Sequence, residues 1–355
     1  MFRRANQRRV IGLALVLAGC TEQVVLNDVW DASPSDLVVP KDTQSGSDAY
    51  CAEKYTPLTF VPQPAQLLIL LDRSSDMQSS FGSTTREAAA QNALVSAVEA
   101  FQGKIKFGFD QFPVDPAVSQ CAQGSCCADK VSIIDPALDN TQAMKSSILC
   151  SDPHNTSCSV ASADSPSYAA LATVRDYYNA NPTTDDLYIL LVTSSEPTCA
   201  SEDQCSSARS AANNLGDAGV RIIVLSVGYE PELWSCLSQI GRKGSSPRAS
   251  QSLYTASSVS DVGSKLNDIF SVVAQSACTM NSSIVPPSQA QLQVSIGKTP
   301  VSQTDWNNPD GWSATPNQTS ITLSGSACDS YLNSQDKLLV GYACSPCGGP
   351  NACTP

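Results

Sequence analysis

Three short polar segments carry the residue types that hold a hard cation. Asp72-Arg73-Ser74-Ser75-Asp76 follows a run of aliphatic residues, Leu67–Leu71, and Thr193-Ser194-Ser195-Glu196-Pro197 follows a second, Leu187–Val192. Between them, Ser165-Pro166-Ser167 opens an amphipathic stretch. Carboxylate and hydroxyl oxygens suit Mg2+, Mn2+ or Ca2+, which take oxygen ligands. Asp72, Ser74, Asp76, Ser165 and Ser194 are the candidate metal ligands.

Other chemistries find little support. The one histidine, His154, lies in a cysteine-bounded loop, which excludes most histidine-based metal sites and acid–base constellations. No Gly-x-Ser-x-Gly elbow, phosphate loop or Gly-x-Gly-x-x-Gly occurs in the sequence. Cys344-Ser-Pro-Cys347 has redox-pair spacing. It sits in a Gly/Pro-rich tail, however, and not at a helix N-terminus that would lower a thiol pKa, so a structural disulfide is expected. A hydrolase would need a constellation that this chain lacks. The reading is non-enzymatic, with no catalytic residue assigned.

The elements that must position the polar segments are legible from hydrophobic pattern. Leu67–Leu71, Leu187–Val192 and Val220–Val227 are continuous apolar runs, as expected of strands covered on both faces. Ile105–Phe109 is a further strand, Val131–Ile134 a weak one and Leu253–Thr255 a small one. Helices are expected at Thr84–Gln102, before Cys150, at Ser167–Tyr178 behind a Ser-Pro-Ser cap, at Ser206–Leu215 ended by Gly216, at Pro231–Ile240 and at Val259–Ala277. This alternation predicts an α/β fold: a doubly wound, mainly parallel sheet with helices on both faces. Ligands of such sheets sit beyond the carboxyl ends of the strands, where the three polar segments should meet. Residues 279–355 differ. Leu292–Ile296, Thr319–Leu323 and Leu338–Tyr342 read as short antiparallel strands in a small, cysteine-rich β extension stapled by Cys278, Cys328 and Cys344.

The first sixty residues bear on location. Arg3, Arg4, Arg8 and Arg9 precede a short apolar run, Val10–Ala18, that ends in Leu17-Ala18-Gly19-Cys20. The run is too brief for a permanent membrane helix, which needs ~20 apolar residues, and it reads as a signal peptide, residues 1–19. The small residues before Cys20 resemble a lipobox, whose cysteine receives diacylglycerol and fatty acid and holds the chain on a membrane. Thr21 is not the aspartate that retains some lipoproteins at the inner membrane, which leans the expectation toward the outer membrane or cell surface. Residues 20–62 are polar and Pro/Ser/Asp-rich, a flexible tether whose far end Cys51 would pin. Loss of the four leading arginines takes the formal charge from −12 to −16, which argues against nucleic acid and anionic lipid as docking partners. Of 15 cysteines, 14 remain after Cys20, an even number that an oxidising compartment turns into as many as seven disulfides. The clusters Cys121/Cys126/Cys127, Cys150/Cys158 and Cys199/Cys205 suggest loop staples.

A strand followed by Asp-x-Ser-x-Ser, a later Thr-Pro-Thr turn, and a strand ending in Thr-Asp-Gly-Glu-Pro make up the metal-ion-dependent adhesion site of von Willebrand factor A domains. Leu70–Met77, Ser165–Ser167 and Thr193–Cys199 resemble these three pieces. Phe107–Pro113 is similar to the second strand of lipobox-bearing bacterial members, which carry a comparable cysteine-rich extension. The likeness runs from about Gln66 to Cys278. It implies a domain over residues 63–278 with a six-stranded sheet of order 3-2-1-4-5-6. It also implies a role in binding or adhesion to a protein or matrix ligand at the cell envelope. Three ligand positions depart from the family: Asp76 stands for a serine, Ser165 for a threonine and Ser194 for the strand-end aspartate. Two readings stand. In one, Asp76 supplies the charge that Ser194 lacks, and the site takes a divalent cation. In the other the site is vestigial, and the chain is a scaffold subunit of an envelope or secretion assembly.

Overall fold

The computed structural model describes residues 54–114, 128, 134–150, 164–199, 203–231, 235–243, 252–286, 291–305, 308–334 and 336–344. In chain order the α/β part comprises β1 Gln66–Asp72, α1 Arg86–Ala100, β2 Lys106–Phe112, β3 Ile134–Ala137, α2 Thr141–Ile148, α3 Ser167–Ala180 and β4 Leu187–Thr193. It continues with α4 Gln204–Asp217, β5 Arg221–Val227, α5 Cys236–Lys243, β6 Leu253–Ala256 and α6 Val259–Ala274. The six strands form one sheet in the order β6-β5-β4-β1-β2-β3, the order implied above. It is a mixed sheet: β3 runs antiparallel to β2 at the edge, and the other neighbours are parallel.

Strand periodicity explains the unbroken apolar runs. Leu67, Ile69 and Leu71 of β1 enter a core with α1, α2 and α6, whereas Leu68 and Leu70 enter a second core with α3, α4 and α5. β4 divides likewise, Tyr188, Leu190 and Val192 against Ile189 and Leu191. Each such side chain contributes about 1.5–3 kcal/mol by full burial, and between Leu67 and Leu71 of β1 and between Leu187 and Val192 of β4 no position carries a charged or amide side chain.

Local chemistry corrects several expected boundaries. α4 runs past Gly216 to Asp217, and the chain turns instead at Gly219, whose φ of 84° is left-handed. α5 starts at Cys236, not Pro231, and α6 gives way at Gln275 to a 3-10 turn that ends at Cys278. Of the weak strand expected at Val131–Ile134 only Ile134 lies among the described residues, where it opens β3. Cys205 bonds to Cys236, not to Cys199, and so ties α4 to α5. Cys150 and Cys199 are disulfide-bonded as well. The lipobox with Cys20, His154, and the cysteines at 51, 121, 126, 127, 158, 347 and 353 lie outside the described residues.

The β-rich part is larger than the C-terminal tail alone. One four-stranded antiparallel sheet has the order Lys54–Leu58, Leu338–Cys344, Gln291–Ile296, Thr299–Val301. A second has the order Gly311–Ala314, Ser320–Ser324, Thr279–Asn281, Val61–Pro62. Residues from Lys54 onward, expected to be tether, therefore pair with strands that follow the α/β part. Leu58, Val294, Val340, Ile321 and Leu323 join the core that α1 and α6 cover. A helix the pattern did not reveal, Ser326–Asn333, carries Cys328, which is bonded to Cys278 as the staple reading expects. Among the described residues no helix is long and apolar enough to cross a membrane.

Candidate functional site

Parity along two parallel strands builds the crevice. Leu71 of β1 lies beside Val192 of β4, so the next residues, Asp72 and Thr193, are neighbours at the carboxyl ends. Leu71 and Val192 face the α1/α6 core, which turns Asp72 and Thr193 to the other face, where α3 begins. There the Thr193 hydroxyl donates to Asp72 Oδ2 at 2.6 Å and the Ser165 hydroxyl to the same oxygen at 2.8 Å. The Ser74 amide donates to Asp72 Oδ1 at 2.8 Å. All three polar segments thus meet on one carboxylate.

Each segment is fixed in its own way. Behind Ser74 the chain forms a 3-10 turn, Ser75–Gln78, anchored by the fully buried Met77. Ser165 is clamped to the third segment: its amide donates to Thr198 Oγ1 at 2.6 Å and its carbonyl accepts from the Thr198 amide at 2.8 Å. Its hydroxyl is committed to Asp72, so it does not cap α3. The N-cap position is Pro166, without a side-chain bond, which corrects the Ser-Pro-Ser cap. Glu196 turns away from the crevice, accepting from the Tyr229 hydroxyl at 3.2 Å and the Leu237 amide at 3.1 Å.

Electrostatically the site is poised. Asp72 is wholly buried, and burial raises its carboxyl to about 6, more than the bonds from Thr193, the Ser74 amide, Ser165 and the Ser74 hydroxyl lower it. Ser74 and Ser194 are 0% and 2% exposed; the Ser74 hydroxyl lies beside the Asp72 carboxyl, and the Ser194 hydroxyl has no hydrogen-bond partner among the described residues. An orphaned buried hydroxyl is costly, and with the Ser74 hydroxyl and the buried carboxylate it makes a set of oxygens of the kind a hard cation takes. Asp76 is exposed on the 3-10 turn, with its backbone carbonyl accepting from Arg86 at 3.3 Å. No cluster of three or more His, Cys, Asp or Glu occurs among the described residues.

Of the five candidate ligands, Asp72, Ser74 and Ser165 are joined by direct bonds. Ser194 follows Thr193 with its hydroxyl buried, and Asp76 stands on the exposed turn. Thr193 was absent from the sequence-derived set. The parity of its strand, with Val192 facing the opposite core, was the signal that could have found it.

No family model and no curated protein matches the sequence. Among solved structures, the chain is similar to the pilus adhesin SpaC from Lactobacillus rhamnosus GG, at 13% identity and a TM-score of 0.48, over 79% of this chain and 39% of that one. It thus spans about two-fifths of the adhesin. It is also similar to the conserved hypothetical protein BatB from Bacteroides thetaiotaomicron, at 15% identity and a TM-score of 0.41, over 59% of this chain and 98% of that one. The SpRpn10 VWA domain matches at 12% identity and a TM-score of 0.38, over 59% and 94%. At these TM-scores the likenesses decide neither family nor function.

Proposed function

We propose that this chain is a lipoprotein held at the cell envelope through Cys20, with a von Willebrand factor A-like domain. It binds a protein or matrix ligand at the crevice around Asp72, with the help of Mg2+, Mn2+ or Ca2+. The observation that carries this is the meeting of Asp72, Ser74 and Ser165 at two central strand ends, beside a buried Ser194 hydroxyl that lacks a partner among the described residues. Asp72, Ser74, Asp76, Ser165 and Ser194 would hold the cation, Asp72 supplying the buried negative charge. Once bound, the cation supplies a Lewis-acidic position for a carboxylate or hydroxyl oxygen of a partner. The residues themselves do the rest. Thr193 and Ser165 orient Asp72, and Thr198 fixes Ser165.

One observation favours a second reading. Asp72 already accepts three hydrogen bonds, enough to hold the crevice closed as a vestigial feature of a scaffold subunit. Thermal melts of the mature protein in millimolar Mg2+ or Mn2+ and in chelator separate the two. The cation reading expects a higher melting temperature with metal, lost in Ser74→Ala. Identical melts leave the scaffold.

A further inference from the structure

The first crevice segment is gripped from below by the first turn of α1. Arg73 lies between Asp72 and Ser74, yet its side chain leaves the crevice, and its Nε donates to Glu87 Oε1 at 2.6 Å. Both side chains are at least nine-tenths buried. Gln78, at the other end of the segment, donates to Glu87 Oε2, and Gln91, one turn along α1, donates to Oε1 at 3.2 Å. Between these ends, Arg86 donates to the Asp76 carbonyl at 3.3 Å and to the Gly228 carbonyl, beyond β5, at 2.9 Å. One buried carboxylate therefore holds both ends of the loop that carries Ser74 and Asp76.

We infer that Glu87 is the positioning residue of the crevice. It sets the distance between the ends of the 73–78 segment, and so fixes where Ser74 and Asp76 stand relative to Asp72. Glu87 touches no ligand and acts through Arg73 and Gln78. A carboxylate with three side-chain donors is more than helix capping requires, and two of the three come from the loop it serves. The inference rests on the binding reading only for its metal readout. The placement of the loop is a property of the metal-free protein.

Two measurements test it in the full mature chain. The first is hydrogen exchange at the Ser74 amide, which reports its bond to Asp72, with the amides of central β4 as reference. In chelator, Glu87→Gln should speed Ser74 exchange at least ten-fold while β4 stays protected. The second is the melting shift in Mg2+, whose half-saturating concentration should rise at least ten-fold. The pair Arg73→Met with Glu87→Leu separates positioning from mere stability, because apolar packing can replace a buried ion pair without loss of stability. This double variant should regain the melting temperature but neither the Ser74 protection nor the Mg2+ response. Unchanged Ser74 exchange in Glu87→Gln, or full recovery of protection in the double variant, overturns the inference. If the wild-type chain ignores Mg2+, the cation reading fails on its own, and exchange still decides the role of Glu87.

Discussion

Replacing Asp72 with asparagine should stabilise the metal-free protein at neutral pH, an unusual outcome for a buried residue with three hydrogen bonds. The carboxyl titrates near 6 in the folded chain against an ordinary value of 3.8. Ionised Asp72 therefore costs about 3 kcal/mol at pH 7.5, relative to an aspartate left in water. Asparagine removes that cost. Its oxygen can still accept from Thr193 and Ser165, but its NH2 would face the Ser74 amide, donor against donor, a loss of about 1–2 kcal/mol. The balance is a gain of about 1–2 kcal/mol, or several degrees in melting temperature for a domain of this size. The pH dependence carries the same sign. Between about 6 and 3.8 the folded chain holds a proton that the unfolded chain has released. Wild-type stability should therefore rise as pH falls through this window, and decline as pH climbs through 6. Melts of both proteins in chelator from pH 4 to 8 read the difference directly, because other groups cancel between them. An Asp72→Asn protein that melts lower than wild type at pH 7.5, or a difference that does not change with pH, would refute the reasoning.

Three further outcomes follow from the same geometry. Thr193→Val removes the shortest bond to Asp72; it should lower stability by about 1–3 kcal/mol in chemical denaturation at pH 7.5, with a smaller effect at pH 4.5, where the carboxyl is protonated. Cys278→Ala with Cys328→Ala opens a cross-link between residues 50 apart and should cost about 4 kcal/mol by loop entropy, read as a lower denaturation midpoint. Gly325→Ala should destabilise by about 1–3 kcal/mol, since φ is 56° and a Cβ would stand 1.7 Å from Asp310 Oδ1; full stability in a melt would contradict the backbone argument.

How much of this was legible in advance depended on whether the signal was local. The central strands were plain because two covered faces force an unbroken apolar run, and the polar residues that end such runs marked Asp72 and the third segment directly. Ser165 was found by its hydroxyl but assigned a cap it does not make, because hydrogen-bond choice between a helix end and a distant carboxylate is tertiary. Arg73 and Glu87 are 14 residues apart with no repeating pattern to join them, so their pairing had no local trace. The strand Lys54–Leu58 was hidden for two reasons. Its partner lies near the other end of the sequence, and Pro57 reads as a strand breaker. Proline is tolerated where this one sits, on the edge of a sheet, and Pro62 and Pro300 occupy edge strands too.

The pairing of Lys54–Leu58 with Leu338–Cys344 also orders events during folding. The α/β segment can collapse as it emerges, because its strands and helices all lie within residues 66–274. The leading strand must wait for a partner made about 280 residues later, a closure whose entropy cost grows slowly with length but whose rate suffers from the separation. Until the 338–344 segment arrives, Leu58 has no strand beside it, and the partly folded chain carries an open edge on which a chaperone or a neighbouring copy can pair.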